Sequence, residues 1–179
     1  MTHRIHILNA SALGAPALDV IARDVTEVFR LPVAVEHRPL DCSGAYDESR
    51  RQYNSSIMLA RLLEERGNGA EKIIAVVGVD LYVPVLTFVF GEAQFKGLAA
   101  IVSIQRLGNQ FYGLPGDDPL LHRRLAKETV HELGHTFGLY HCRQFECVMR
   151  SSTYVEEIDL KKVEPCAHCR SLLVQQVRL

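Results

Sequence analysis

The run DPLLHRRLAKETVHELGHTFGLYHC, residues 118–142, decides how this chain is built around its chemistry. Asp118-Pro119 reads as a helix start, with the aspartate at the N-cap and the proline at the first helical position. Ala126, Val130, Leu133 and Phe137 come next at spacings of four, three and four. They form one narrow apolar stripe suited to packing on a sheet. Gly138 is where the helix should stop. At about 100° per residue, His131 and His135 stand one above the other and well round the axis from the stripe. The stripe can therefore meet a core while both imidazoles face a cleft.

Both histidines can reach a single ion, because residues four apart share a helix face. Glu132 sits next to them but too far round to be a third ligand on the same turn. It is placed to accept a proton from a metal-activated water. A helix continuing through Gly138 would carry His141 to the wrong side of the axis. A left-handed glycine there would turn the chain sharply and bring His141 back to the ion. Three neutral nitrogens and one open position describe a catalytic zinc site. Arg124 and Glu128 lie on roughly the histidine side of the helix. They are expected as solvated charges, with support of the metal ligands as the second reading.

Downstream, Cys142 is the residue after His141, Cys147 comes five residues later, and Cys166-Ala-His-Cys169 completes the set. Two thiolates from each of two short segments suit a closed, tetrahedral structural zinc. Two disulfides, or a redox-active Cys166/Cys169 pair, are the competing readings. His168 could replace one thiolate. Cys42 stands apart and reads as a small buried residue.

Upstream, strand-like and helix-like runs alternate. Residues 4–9 have the period of a strand, 16–30 of a helix, and 32–37 of a second strand. After a polar loop, Asp41 to Asp47, a helix is predicted over 48–66. Its core side would be Tyr53, Ile57, Ala60, Leu62 and Leu63, with Gly67 to Gly69 ending it. Strands are predicted over 72–79, 85–90 and 99–107. The result is an α/β fold, a mixed twisted sheet with packed helices. At 179 residues one domain is expected over 1–179. Residues 1–138 would form an α/β part with the active-site helix, and 139–179 a zinc-braced C-terminal part.

Composition narrows the partners. Twenty basic and 21 acidic residues leave a formal net charge of −1, which gives no electrostatic footprint for nucleic acid or an anionic membrane. The apolar stretch 73–90 is broken by Gly78, Asp80 and Pro84, so it reads as buried strands rather than a membrane span. The first residues lack the charged region and apolar run of a secretory signal. A cytoplasmic monomer is expected.

HELGHTFGLYHC (131–142), Cys147-Val-Met149 and Cys166-Ala-His-Cys169 together closely resemble the archaemetzincins. This match is specific over residues 131–169, and upstream only the general strand–helix plan is similar. The resemblance implies a zinc metallopeptidase of the metzincin type, with His131, His135 and His141 on the catalytic zinc and Glu132 as general base. It implies a second, structural zinc on Cys142, Cys147, Cys166 and Cys169, and so two zinc ions per chain. Met149 would form an apolar floor beneath the histidines, and Gly138 would support the turn to His141. An extended peptide or small-protein substrate would pair with an edge strand within 88–103. Tyr140 and Tyr154 are candidates for stabilising the oxyanion. The rival readings are a zinc-stabilised peptide-binding module without turnover and an intracellular zinc buffer.

Overall fold

The computed structural model describes residues 4–65 and 71–177. Its centre is a five-stranded sheet of β1 (Ile5–Ala10), β2 (Val33–His37), β5 (Lys72–Val77), β7 (Gly91–Ala93) and β8 (Ala99–Ser103). A small second sheet contains β3 (Tyr46–Asp47), β4 (Gln52–Asn54) and β6 (Leu81–Tyr82). Strand order in the large sheet is β2-β1-β5-β8-β7. Its first four strands run parallel, and β7 closes one edge antiparallel to β8.

The helices are α1 (Ala15–Phe29), α2 (Ser55–Glu65), α3 (Asp118–Thr136), α4 (Val155–Asp159) and α5 (Ala167–Val177). Helices α1 and α3 cover one face of the sheet, where Leu18, Ile21 and Val25 join Val130 and Leu133 against Ile74 and Val102. Helix α2 covers the other, with Met58 and Leu62 against Ala75 and Ile101. Strands buried on both faces read as unbroken apolar runs, as Lys-Ile-Ile-Ala-Val-Val of β5 does.

Three sequence expectations are corrected. Residues 48–54 are not helical. Asp47 accepts hydrogen bonds from Ser49 Oγ and the Arg50 amide, and Arg51 is left-handed at φ +56°. That turn folds β3 onto β4 and delays the helix to Ser55, which leaves Ile57 and Ala60 exposed and Met58, Leu59 and Leu62 in the core. Residues 85–90 form no strand. The Leu86 amide bonds the Val83 carbonyl in a turn around Pro84, and Val85 is 88% exposed. The strand from Ala99 stops at Ser103, where a turn begins. Gly67 to Gly69 lie outside the described residues.

The apolar stripe of α3 is buried throughout, from Ala126 to Phe137. The N-cap is Asp117, one residue earlier than predicted, and its carboxylate accepts from the Leu120 amide at 2.9 Å. At the other end Lys72 Nζ donates to the carbonyls of Thr136 (2.9 Å) and Gly97 (2.8 Å) and lies 4.3 Å from the Phe137 ring centre. Burial lowers its pKa to about 8. Lys72→Met would leave both carbonyls without that donor, one of them at the negative end of the helix. A loss of about 1–3 kcal/mol in urea unfolding is expected. An unchanged midpoint would show that the ammonium contributes nothing net.

Candidate active site

Helix α3 delivers His131 and His135 to one side, and the turn after it delivers His141. Gly138 is left-handed at φ +87°. Its amide bonds the His135 carbonyl at 2.9 Å and the Leu139 amide bonds the Gly134 carbonyl at 3.0 Å, the paired closure that ends a helix and reverses the chain. The ligating atoms of His131, His135 and His141 then lie within 4.8 Å of one another.

Their partners set their tautomers. His131 Nδ1–H donates to the Val148 carbonyl and His135 Nδ1–H to the Leu139 carbonyl, each at 2.8 Å. In the neutral rings both Nε2 atoms are therefore lone-pair acceptors, and they face each other at 3.1 Å. Burial lowers the pKa of all three imidazoles, that of His131 most, so the neutral form is favoured. Two such lone pairs in contact call for a cation between them. Nitrogens about 2.0–2.1 Å from a tetrahedral zinc stand about 3.3 Å apart, so the residues fit that ion.

Glu132 is 6% exposed, and burial raises its carboxyl pKa well above the usual range, with Glu128 adding repulsion. It abuts Gly91 on β7, and the contact leaves no room for a side chain there. A Cβ on Gly91 would stand 2.6 Å from the Ile101 carbonyl oxygen and 2.7 Å from Glu132 Cγ. Gly91→Ala is expected to displace Glu132 and lower stability by about 1–3 kcal/mol in urea unfolding. An unchanged midpoint in the alanine variant would exclude this steric role.

Arg124 and Glu128 are not solvated charges. They are 5% and 3% exposed. Arg124 pairs with Asp159 and donates to the Leu107 carbonyl, while Glu128 takes a hydrogen bond from Lys161 Nζ at 2.9 Å. Lys161, itself 3% exposed, also donates to the Arg150 carbonyl and so ties α3 to the segment after Met149. Met149 is fully buried beneath Gly134, whose Cβ, if present, would run into its sulfur.

The histidines and Glu132 open onto a cavity of about 400 Å³, walled by residues 86–93 on one side and Ser151 to Thr153 on another. Ser152 has a buried hydroxyl with no partner among the described residues. Tyr140 and Tyr154 do not line the cavity and are 73% and 66% exposed; the Tyr140 ring packs at a tilt against Phe95. Sequence reasoning missed Gly91, Glu92, Ser152 and Lys161. None of them lies within the motif-bearing helix or carries a spacing signal, since only the fold brings Gly91, Glu92 and Ser152 to the cavity and Lys161 to Glu128.

Cys142, Cys147, Cys166 and Cys169 form a second cluster, with all four sulfurs within 4.8 Å of one another. The thiols are free, and Cys142 and Cys166 are 3.8 Å apart. A disulfide needs about 2.05 Å, whereas thiolates on a tetrahedral zinc at about 2.3 Å stand about 3.8 Å apart. Amides of Gln144 and Cys166 point at the sulfurs of Cys142 and Cys147. The Cys169 amide lowers the Cys166 pKa to about 7. This donor set also fits zinc. Cys42 lies apart from the cluster, half-buried, with its thiol on the Leu40 carbonyl.

Fold and site together define a zinc metallopeptidase, and the comparisons with known proteins agree. Residues 21–175 match peptidase family M54. The archaemetzincin of Thermococcus kodakarensis is 42% identical over 137 residues, 76% of this chain and 74% of that protein. The archaemetzincin of Archaeoglobus fulgidus is 36% identical over 160 residues, covering 89% and 92%. Among solved structures, a zinc-dependent peptidase from Methanocorpusculum labreanum superposes with a TM-score of 0.87 at 32% identity, over 94% of this chain and 99% of that one. The archaemetzincin of Methanopyrus kandleri gives 0.87 at 31%, over 99% and 96%. The chain belongs to peptidase family M54, the archaemetzincins.

Proposed function

We propose that His131, His135 and His141 hold a catalytic zinc, that Glu132 is the general base of peptide hydrolysis, and that the four clustered cysteines hold a structural zinc. The observation that carries this reading is the pair of opposed Nε2 lone pairs beside a buried carboxylate, all on the wall of one cleft. Zinc in that position supplies a Lewis acid for the scissile carbonyl and lowers the pKa of water from about 15.7 to about 7. Glu132 takes the proton from the attacking water as the C–O bond forms. It returns that proton to the amide nitrogen as the C–N bond breaks, and the second water proton passes from the new carboxyl to the amine, releasing a carboxylate and an ammonium. Burial of Glu132 keeps bulk water from competing for the proton.

The second zinc would brace the C-terminal part from residue 139 onward, described to residue 177, and hold His141 from outside. A zinc–thiolate site needs a reducing compartment, and the cytoplasm is the location this reading assigns. Among the described residues no helix is long and apolar enough to cross a membrane. A monomer acting on peptides or small proteins is the working unit.

The test is zinc analysis with a peptide-library cleavage profile before and after chelation. Cleavage that disappears with the metal and returns with added zinc is expected, at about two zincs per chain in the active protein. Saturable peptide binding with zinc present and no turnover anywhere in the library would instead establish a binding module.

A further inference from the structure

Glu92 occupies the middle of β7, the edge strand along the cleft. Ladder bonds from the Ser103 amide to the Phe90 carbonyl and from the Gln94 amide to the Ala99 carbonyl flank the Glu92–Ile101 pair. In an antiparallel ladder this alternation turns the backbone of Phe90, Glu92 and Gln94 inward to β8. Gly91 and Ala93 turn their N–H and C=O groups outward, to the free edge. An extended peptide pairing there would bond to Gly91 and Ala93 and bring one of its own residues level with Glu92.

Side chains alternate with the same period. Gly91 faces α3 and Glu132, and Glu92 faces the opposite side of the sheet, against the start of α2. Its carboxylate accepts from Ser55 Oγ and Ser56 Oγ, the first two residues of that helix, which hold it in place at the cavity wall. Glu128, the other carboxylate beside Glu132 on that wall, is answered by Lys161. Glu92 forms no ion pair with a Lys, Arg or His among the described residues. The cleft wall thus carries a half-buried carboxylate held by two serine hydroxyls and matched by no cationic side chain among the described residues.

We infer that Glu92 determines specificity by selecting substrates that carry a positive charge beside the cleaved bond, from a Lys or Arg side chain or from the peptide's own α-ammonium. This inference rests on the peptidase reading. Because Gly91 abuts Glu132, the substrate residue level with Glu92 lies within two positions of the scissile bond. Directly opposed side chains across a strand pair have Cβ atoms about 4.5–5.5 Å apart, close enough for opposite charges to attract and like charges to repel. The α-ammonium carries the same charge but lies in the line of the backbone rather than on the sheet face.

The experiment compares kcat/KM on two peptide sets with the zinc-loaded protein. One set is N-acetylated and carries Lys, Gln or Glu at each position in turn. The other holds a neutral sequence with its amine free or acetylated. A preference for the cation of about tenfold or more in one set is expected, and that set identifies the source of the charge. In Glu92→Gln, which keeps an acceptor for the two serines, the ratio should fall to about two or less. If that variant fails to fold, the wild-type ratio is measured from low salt to 1 M, where the Debye length shortens to about 3 Å and the preference should shrink severalfold. Cleavage without charge preference overturns the inference, as does a ratio unchanged in the Gln variant or unchanged by salt. Absence of all cleavage fails the peptidase reading itself and is distinct from these.

Discussion

Replacing Glu132 by Gln is expected to lower peptide turnover by about 100- to 10,000-fold while the protein keeps its zinc. The amide has the shape of the carboxylate and fits the space against Gly91, so the fold has no steric reason to change. Its one loss is the ability to take and return a proton. Burial already disfavours the charged carboxylate in the metal-free chain. Gln removes that cost, and the metal-free variant should unfold at or above the wild-type temperature. Zinc analysis, thermal unfolding and cleavage of one good peptide separate these effects. Equal turnover by variant and wild type would remove Glu132 from the chemistry.

Cys147→Ser is expected to have the largest effect on stability. Cys147 is 2% exposed, and the Cys166 amide, just ahead of α5, points at its sulfur. Structural zinc in small peptides binds with about 10–16 kcal/mol of apparent free energy, and in such sites binding and folding are one process. Removing one thiolate should lower the zinc content from about two to about one per chain and cost at least about 3 kcal/mol. For a chain of this size that is a fall in Tm of about 6 °C or more. Turnover should fall with it, because His141 is joined to Cys142 in the same turn. A variant retaining both zincs and the wild-type Tm would show that the cysteines pack without a metal.

Helix α3 and the turn that carries His141 are the legible part of the sequence. The stripe from Ala126 to Phe137, the two histidines one turn apart and the left-handed Gly138 all express local rules of period and backbone sterics, and these act within a few residues. Residues 48–54 mislead because the helical pattern that begins in earnest at Ile57 extends back only through Tyr53, over the polar run ESRRQYN, where Asp47 caps a turn instead. Residues 85–90 have the composition of a strand, but Pro84 and the turn at Leu86 hold them as a cleft wall. Arg124, Glu128 and Lys161 cannot be assigned from spacing. Charged residues on a helix usually face water, and the cation that buries Glu128 comes from 33 residues away. Gly91 and Glu92 have roles set by the sheet edge on which they lie, and sequence alone does not say which strand is last.

The hydrogen bond from His131 to Val148 also bears on when this protein becomes competent during synthesis. Helix α3 can form as soon as residue 136 is available, since its bonds are local. The carbonyl that orients His131 lies 17 residues further along, and the four clustered thiols reach to Cys169. A nascent or truncated chain can therefore present the two helical histidines without the ring orientation that makes them a matched pair.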